Sequence, residues 1–407
     1  MKKIMVVFLI ALCAAAVFPQ DVTMSISGEV KTGLFSYWSH SDVEGEDPVE
    51  MTFIHNSEDD NWMTFDFMDL RMKQGLFRLN FMIERGNIGA KFRFETTGWS
   101  YGGTSAADWG YAFLYGSFFN DQFRMSAGKL GDSPWGTGGP DLDINLDTSI
   151  GIRFEFMPAF LPGLNIGFVL NDWNTAPAGN AEFKKLMAET VLGLSYTHDL
   201  FHLRFAYRLD SDTDQRTPLL HADQGGSLLY YLEERAIRQH LPDFQIFATG
   251  YFLDLGNEDA NMLRGTNYLY ALYETADIAA QLRLGYEAVS MRLLDYNIDN
   301  SRQFFSVRPS FYYKFFNSLL NVGLAFEFAK DFGSGKVVSD SFLYWYIEPE
   351  IRLNLGGGAY LALVYRYQDD YYRLLLDNMD PGTGRYTEYT TPNTKSHWFN
   401  LRAVFAF

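Results

Sequence analysis

Three aspartates in one connecting segment are the residues with the clearest capacity for chemistry. Within residues 132–148, acidic and aliphatic side chains alternate: Asp141, Leu142, Asp143, Ile144, Leu146 and Asp147. An extended backbone would direct the carboxylates to one side and the aliphatic groups to the other. Oxygen ligands at this spacing could bind Ca²⁺ as an EF-hand does, but an EF-hand needs glycine and glutamate where this chain has Leu146 and Ile152. A purely electrostatic role is the alternative.

Histidines next to carboxylates are the other candidates for chemistry. A base oriented by a carboxylate could activate a nucleophile or a water molecule, and His198–Asp199 and His221 with Asp223 have this composition. The first pair falls at a predicted turn and the second in a predicted loop, where polar residues are expected anyway. The sequence contains no nucleotide-binding, zinc-binding or nucleophile-elbow motif. It therefore predicts a protein that is not an enzyme and needs no metal or cofactor.

Composition and charge exclude several classes of protein. Apolar residues make up 47% of the 407 residues, too many for a disordered chain. With 50 acidic and 33 basic residues and a net charge of −17, the chain would bind phosphate backbones poorly, so no nucleic-acid partner is expected. The one uninterrupted apolar run, residues 4–16, is shorter than the roughly 20 residues of a membrane-spanning helix. A helical membrane protein is therefore excluded.

That apolar run has the features of an export signal, because Lys2 and Lys3 precede it and small residues end it. We expect a cleaved signal peptide over residues 1–20 and a single domain over residues 21–407. The only cysteine, Cys13, lies within the signal, so the mature chain would contain no disulfide. Lipoprotein processing at Cys13 is the alternative, although Leu12 is larger than the residue usual at that place.

The rest of the chain alternates with a period of two, which indicates strands whose two faces meet different surroundings. In residues 149–157, Ile152 and Phe154 take one face while Arg153 and Glu155 take the other. The same pattern recurs at residues 200–209, 276–287, 320–328, 343–354 and 361–368. The domain is therefore predicted to be all-β.

The connections between these strands alternate in length. Short turns are predicted near residues 85–87, 120–121, 198–199, 316–318 and 356–358. Longer polar, aromatic or Gly/Asp-rich connections lie between them, at residues 38–62, 98–109, 132–148, 172–187, 211–241 and 371–395. Turns at one end and loops at the other are typical of an antiparallel transmembrane β-barrel, with short periplasmic turns and long extracellular loops.

The strand number follows from the length of the chain. About 16 strands of ~10 residues fit the mature chain, within a range of roughly 14–18, and a further hairpin in residues 255–300 would bring the total to about 18. Two helices are predicted inside loops, over residues 181–187 and 228–239. A large soluble β protein with an aromatic core is the alternative to a barrel.

The phase of each strand predicts which side chains face the interior. The basic residues assigned to it are Lys91, Arg93, Arg124, Arg153, Arg204, Arg208, Arg283 and Arg308, with Arg352, Arg366 and Arg402 further along. About 16 strands enclose more space than side chains fill, which predicts an aqueous channel. The alternative is that these arginines pair with glutamates such as Glu155, Glu327 and Glu348 and fill a closed interior.

If the channel is open, an acidic loop would face the basic wall across a narrow waist. The predicted constriction residues are Asp132, Asp141, Asp143 and Asp147. The field between the acidic and basic groups would decide which hydrated solutes pass.

Two segments resemble a known family. The last strand, with Phe399, Leu401, Phe405 and Phe407 on one face, resembles the terminal strand of bacterial outer-membrane barrels, the element that the barrel-assembly machinery recognises. Residues 132–148 resemble the inward-folded loop of the general porins, on the residues Pro134, Trp135, Gly138, Gly139 and Asp141.

The resemblance implies a Gram-negative outer-membrane porin, a passive diffusion channel for small hydrophilic solutes and ions. It implies an outer-membrane location in a diderm bacterium, contact with outer-membrane lipid, assembly by the barrel-assembly machinery, and a homotrimer as one candidate assembly. The lysine pair of the signal and the Gln20–Asp21 junction suggest a spirochaete source. A transporter for hydrophobic substrates and a surface adhesin or structural barrel are the alternatives.

Overall fold

A computed structural model describes residues 22–41, 50–52, 75–99, 106–138, 146, 150–171, 190–209, 226–255, 263–293, 298–331, 343–370, 373–380, 385–391 and 394–406. The predicted signal peptide and the predicted helix over residues 181–187 lie outside these ranges. No helix in the described ranges is both long enough and apolar enough to cross a membrane.

The described chain is almost entirely strand. The strands are β1 (Val22–Ser41), β2 (Glu50–Thr52), β3 (Gly75–Arg85), β4 (Ile88–Trp99), β5 (Ala106–Phe118), β6 (Phe123–Lys129), β7 (Ile150–Phe156), β8 (Leu164–Asn171), β9 (Val191–Thr197), β10 (Phe201–Leu209), β11 (Gly226–Glu234), β12 (Phe244–Leu255), β13 (Leu263–Glu274), β14 (Ile278–Leu293), β15 (Ile298–Phe315), β16 (Leu320–Asp331), β17 (Leu343–Gly356), β18 (Ala359–Asp370), β19 (Arg373–Asp380), β20 (Arg385–Thr391) and β21 (Thr394–Ala406). A single short helix, α1 (Ala236–His240), is described, between β11 and β12.

The main sheet closes on itself. Strands β3 to β18 pair antiparallel with their neighbours in sequence, β18 pairs with β21, and β1 pairs with both β21 and β3. The short β2 adds to β1, and β19 and β20 form a separate hairpin. Closure leaves the barrel without an edge strand, so the backbone groups of the wall find their partners within the sheet.

The barrel has 18 strands in the closed ring, not about 16. Strands β11 and β13 account for the difference. Residues 228–239 were predicted as a helix capped by Ser227, but β10 and β12 offer hydrogen-bonding partners on both sides, residues 226–234 pair with them, and only Ala236–His240 are helical. Strand β13 carries few charges, and apolar or aromatic residues occupy both of its faces, so the alternation that marks the other strands is missing.

The two faces of the wall differ as a membrane barrel requires. On β16 the outward Leu324 is 47% exposed, whereas the inward Glu327 is fully buried. On β17 the outward Ile351 is 49% exposed and the inward Glu350 is 5% exposed. Large apolar side chains therefore cover the outside of the barrel and ionised groups lie inside, the reverse of a soluble sandwich.

The short connections lie together at one end of the barrel. Two of them share the sequence Phe-Phe-Asn, at residues 118–120 and 315–317, and both place three consecutive residues at φ between 53° and 65°. Such left-handed residues make a tight reversal. Longer connections between the described strands lie at the opposite end, in agreement with the predicted alternation.

Candidate pore interior

The basic residues that strand phase assigned to the interior lie on the inner face of the described wall. They are Lys91 and Arg93 on β4, Arg124 on β6, Arg153 on β7, Arg204 and Arg208 on β10, Arg283 on β14 and Arg308 on β15. Cross-strand neighbours share a face, and Arg153 lies opposite Ser126 while Arg204 lies opposite Tyr231. The wall is therefore lined with alternating arginine and hydroxyl-bearing side chains on this side.

Four of these arginines stack on tyrosine rings: Arg93, Arg124, Arg204 and Arg283. The guanidinium carbon of Arg93 is 4.6 Å from the centre of the Tyr111 ring, and Arg124 and Arg204 lie 5.4 Å and 4.9 Å from the rings of Tyr115 and Tyr231. Among the described residues, no carboxylate lies within ion-pair distance of Arg93, Arg124 or Arg204. Their hydrogen-bonding and ring partners are neutral, so these three guanidinium groups form no ion pair with a described carboxylate.

Other interior cations are paired with carboxylates. The Arg283 Nη2 donates to Glu327 Oε1 at 2.7 Å, and both side chains are fully buried. The Tyr346 hydroxyl donates to the other oxygen of Glu327 at 2.7 Å. Next to it, Arg366 donates to Glu348 through Nε at 2.7 Å and Nη2 at 2.6 Å. The wall formed by β14 to β18 thus carries a connected network of buried charges, close to the closed-interior alternative that the sequence left open.

The segment that follows β6 folds into the interior of the barrel. Leu130 and Trp135 are fully buried, and they form one cluster with inward residues of five strands: Tyr111, Phe113, Val169, Val191, Ala206 and Leu229. Leu146 belongs to the same cluster. The Gly138 N–H donates to Thr249 Oγ1 on β12 at 3.4 Å. Residues 130–138 therefore lie along the inner wall between β6 and β12.

Asp132 lies at the start of this segment, beside the basic wall. The Lys91 Nζ donates to Asp132 Oδ2 at 2.5 Å. Partial burial opposes ionisation of the Asp132 carboxyl, but the hydrogen bond from Lys91 and the charges of Lys91, Arg153 and Arg93 outweigh it and lower its pKa below the ordinary 3.8. The carboxylate is therefore held in its charged form between three cations.

Arg153 joins the same segment to the wall. Its Nη1 donates to the backbone oxygen of Gly131 at 3.2 Å, and its Nε lies 3.1 Å from Glu155 Oε1. Glu155 also accepts a hydrogen bond from Asn165 Nδ2 at 2.9 Å. Arg153 is 4% exposed. It therefore holds the segment in place more than it meets the lumen.

The other predicted site residues divide in two groups. Asp141, Asp143, Asp147 and Phe407 lie outside the described residues. Phe399, Leu401 and Phe405 share one face of β21, and Phe405 is 44% exposed on the outside of the barrel. Their predicted recognition by the assembly machinery stays a prediction.

The sequence did not reveal the residues that seat Trp135. Gly167 on β8 and Gly193 on β9 lie directly opposite each other in the sheet register. A Cβ at Gly193 would overlap the Trp135 ring, and one at Gly167 would lie 2.8 Å from its Cη2 and Cζ2 atoms. Their pairing depends on strand register, which the sequence alone does not give.

Known protein families and curated proteins contain no match to this chain. Solved structures do match it. An anion-selective porin from Comamonas acidovorans has a TM-score of 0.50 at 10% identity, over 95% of this chain and 100% of that one. OmpT, an outer membrane protein of Vibrio cholerae, has a TM-score of 0.48 at 9% identity, over 94% and 98%. OccK2 of Pseudomonas aeruginosa, in complex with glucuronate, has a TM-score of 0.48 at 11% identity, over 96% and 99%.

At these identities the first match shows the fold alone, which is the closed antiparallel barrel of bacterial outer-membrane porins and channels. The spirochaete source suggested by the signal stays a prediction.

Proposed function

We propose that the protein is a passive diffusion channel for small hydrophilic solutes and ions, with a waist between residues 132–148 and the basic wall. The observation that carries this proposal is the position of residues 130–138 on the inner wall, beside a wall lined with basic side chains. An apolar outside supports residence in outer-membrane lipid, and a charged inside supports contact with water.

The charge pattern supports a preference for anions. Arg93, Arg124 and Arg204 have neutral partners, whereas the only described acid of the predicted waist, Asp132, is itself paired with Lys91. A solute that passes the described wall therefore meets a net positive potential. Asp141, Asp143 and Asp147, which lie outside the described residues, would reduce that preference for anions.

Conductance measurements test the proposal directly. The purified protein is inserted in planar bilayers, and the reversal potential is recorded in a salt gradient. Stepwise conductance with a measurable ion preference is expected, and triple replacement of Asp141, Asp143 and Asp147 by asparagine should raise the anion preference. Unchanged selectivity in that variant would remove the loop from the waist.

Liposome swelling distinguishes the alternatives. Small neutral sugars should enter proteoliposomes at rates that fall with solute size. A folded barrel that never conducts and admits no solute would favour the adhesin or structural barrel. Uptake restricted to hydrophobic compounds would favour the transporter. Cross-linking in the membrane would test the homotrimer.

A further inference from the structure

The segment 130–138 meets the wall most closely through one side chain. Trp135 is fully buried, and its indole lies against Gly167 and Gly193. These glycines are register partners on β8 and β9 and sit on the inner face, in line with Val169 and Val191. The two strands therefore present an area without side chains, wide enough to receive an aromatic ring.

The ring, and not the backbone, explains the glycine at position 193. Neither Gly167 nor Gly193 has a positive φ, so other residues could adopt the backbone conformation. The three atoms nearest to a Cβ at Gly193 all belong to Trp135. At Gly167 a Cβ would also meet the carbonyl oxygen of Phe154, so only position 193 reports on the ring alone.

Packing holds Trp135 in its seat. Its Nε1 atom makes no hydrogen bond to any described residue. Leu130 precedes it and Leu146 follows it in the same buried cluster. Leu130, Trp135 and Leu146 are thus packed in one cluster, and Trp135 is the largest fully buried side chain in the described structure.

We propose that Trp135, seated on Gly193 and Gly167, is the positioning residue that fixes the distance of the loop from the wall and so sets the width of the channel. This inference rests on the proposed function. The Trp135 ring positions the loop, and the charged side chains of the constriction select the ions. The width of the channel and its ion selectivity are therefore controlled by different residues.

Two substitutions test the seat from opposite sides. Trp135→Ala removes the ring, and Gly193→Ala places a methyl group where the ring lies. Each should lower single-channel conductance roughly twofold, because the loop leaves its place on the inner wall and moves into the lumen, and should exclude larger sugars in the swelling assay. The double variant should match Trp135→Ala, since the added methyl group then finds room.

Gly323→Ala is the matched control. Gly323, on β16, also faces inward, and its Cβ would meet a different aromatic ring, that of Tyr312 on β15. Its conductance should equal that of the wild type. Folding of every variant is checked by the heat-dependent gel mobility of intact barrels, so that conductance is compared only between folded proteins.

A reversible cross-link between the loop and the wall tests whether restoring their contact restores the wild-type conductance. The Gly138 N–H lies 3.4 Å from Thr249 Oγ1, and the only cysteine of the chain is Cys13 in the predicted signal. In the Trp135→Ala background, Gly138→Cys and Thr249→Cys joined by a short reducible cross-linker should return conductance to the wild-type value, and reduction should release the loop again.

The outcomes separate this inference from the proposed function. Wild-type conductance in folded Trp135→Ala and Gly193→Ala proteins would overturn the role of Trp135, while a conducting wild type would leave the channel intact. Additive effects of the two substitutions would also overturn it, because they would show that Gly193 acts independently of the ring. A wild type that never conducts overturns the proposed function itself.

Discussion

At the scale of single residues, the interior contains two kinds of charged side chain: those that form an ion pair and those that do not. Arg283 and Glu327 neutralise each other out of contact with water, whereas Arg93 rests on Asn80 and Tyr111, which are neutral. Arg93 forms no ion pair, although it also acts on the Asp132 carboxylate, so it keeps more of its charge for an ion in the interior than Arg283 does. Asp132 stands between the two kinds, because it is paired with Lys91 and half exposed.

Asp132→Asn should increase the preference for anions. The substitution removes one negative charge from a position held by Lys91, Arg93 and Arg153, and asparagine tolerates the left-handed φ of 54° at this residue. The anion-to-cation permeability ratio should rise by a factor of about two or more. Asp121→Asn is the matched control, because Asp121 has a φ of 63° but lies in the turn between β5 and β6. Equal shifts in both variants would contradict the assignment.

The pH dependence of this effect follows from the direction of the pKa shift. The pKa of Asp132 is lowered by Lys91 and its neighbours, so the carboxylate stays ionised above that lowered value and its contribution disappears only as the pH falls through it. The difference in selectivity between wild type and Asp132→Asn should therefore be constant from about pH 7 to about pH 5. A difference that vanishes within that window would show that another group is responsible.

Glu327→Gln should destabilise the barrel strongly. The change leaves the buried Arg283 guanidinium facing a neutral amide, and breaking a buried pair costs roughly 3–5 kcal/mol. Unfolding in denaturant, followed by tryptophan fluorescence, measures the loss. Glu274→Gln is the control, because Glu274 is 71% exposed in its pair with Lys314 and should cost less than about 1 kcal/mol. Similar costs for the two variants would mean that the interior network is hydrated.

At the scale of elements, the strands that the sequence predicted are those whose two faces differ in charge. β7 places Arg153 and Glu155 inward between apolar residues, and its bounds were predicted to within a few residues. β13 was missed because Tyr268 and Tyr270 face inward while Leu269 faces outward, and none of the three carries a charge. Aromatic residues suit both faces of a barrel, so alternation alone does not reveal such a strand.

The sequence was enough to predict which residue types face the interior, but not which of those residues contact each other. Strand phase was enough to assign Arg93 and Arg204 to the interior, since it depends only on local sequence. The seat of Trp135 depends on the register between β8 and β9 and on the path of the loop to Thr249. Both are set by contacts between residues far apart in sequence, which local pattern does not encode.

Cysteine labelling of β11 tests the replacement of the predicted helix by a strand. Single cysteines are placed at positions 229 to 232 in turn. A lipid-soluble maleimide should label positions 230 and 232 and spare 229 and 231, because Leu232 is 46% exposed on the outside while Leu229 and Tyr231 are buried inside. Labelling that repeats every three to four positions would restore the helix.

At the scale of the whole molecule, the barrel reconciles an acidic chain with a basic interior. The formal charge is −17, yet arginines recur around the inner wall and many of the acidic residues there serve as their partners. Overall charge therefore says little about which ions pass. The membrane setting of the barrel is tested most directly on its apolar outer surface.

Arginine substitution on the outer face tests the membrane setting of the entire barrel. Leu324, midway along β16, and Leu319, in the turn before it, are 47% and 50% exposed. An arginine in the middle of the bilayer costs roughly 2–4 kcal/mol, and one near the interface roughly 0–1 kcal/mol. Leu324→Arg should therefore lower the unfolding free energy in lipid vesicles far more than Leu319→Arg, although both begin equally exposed. In a barrel surrounded by water, the two substitutions would have equally small effects on the unfolding free energy. The two leucines are about equally exposed, and depth in a bilayer would then play no part.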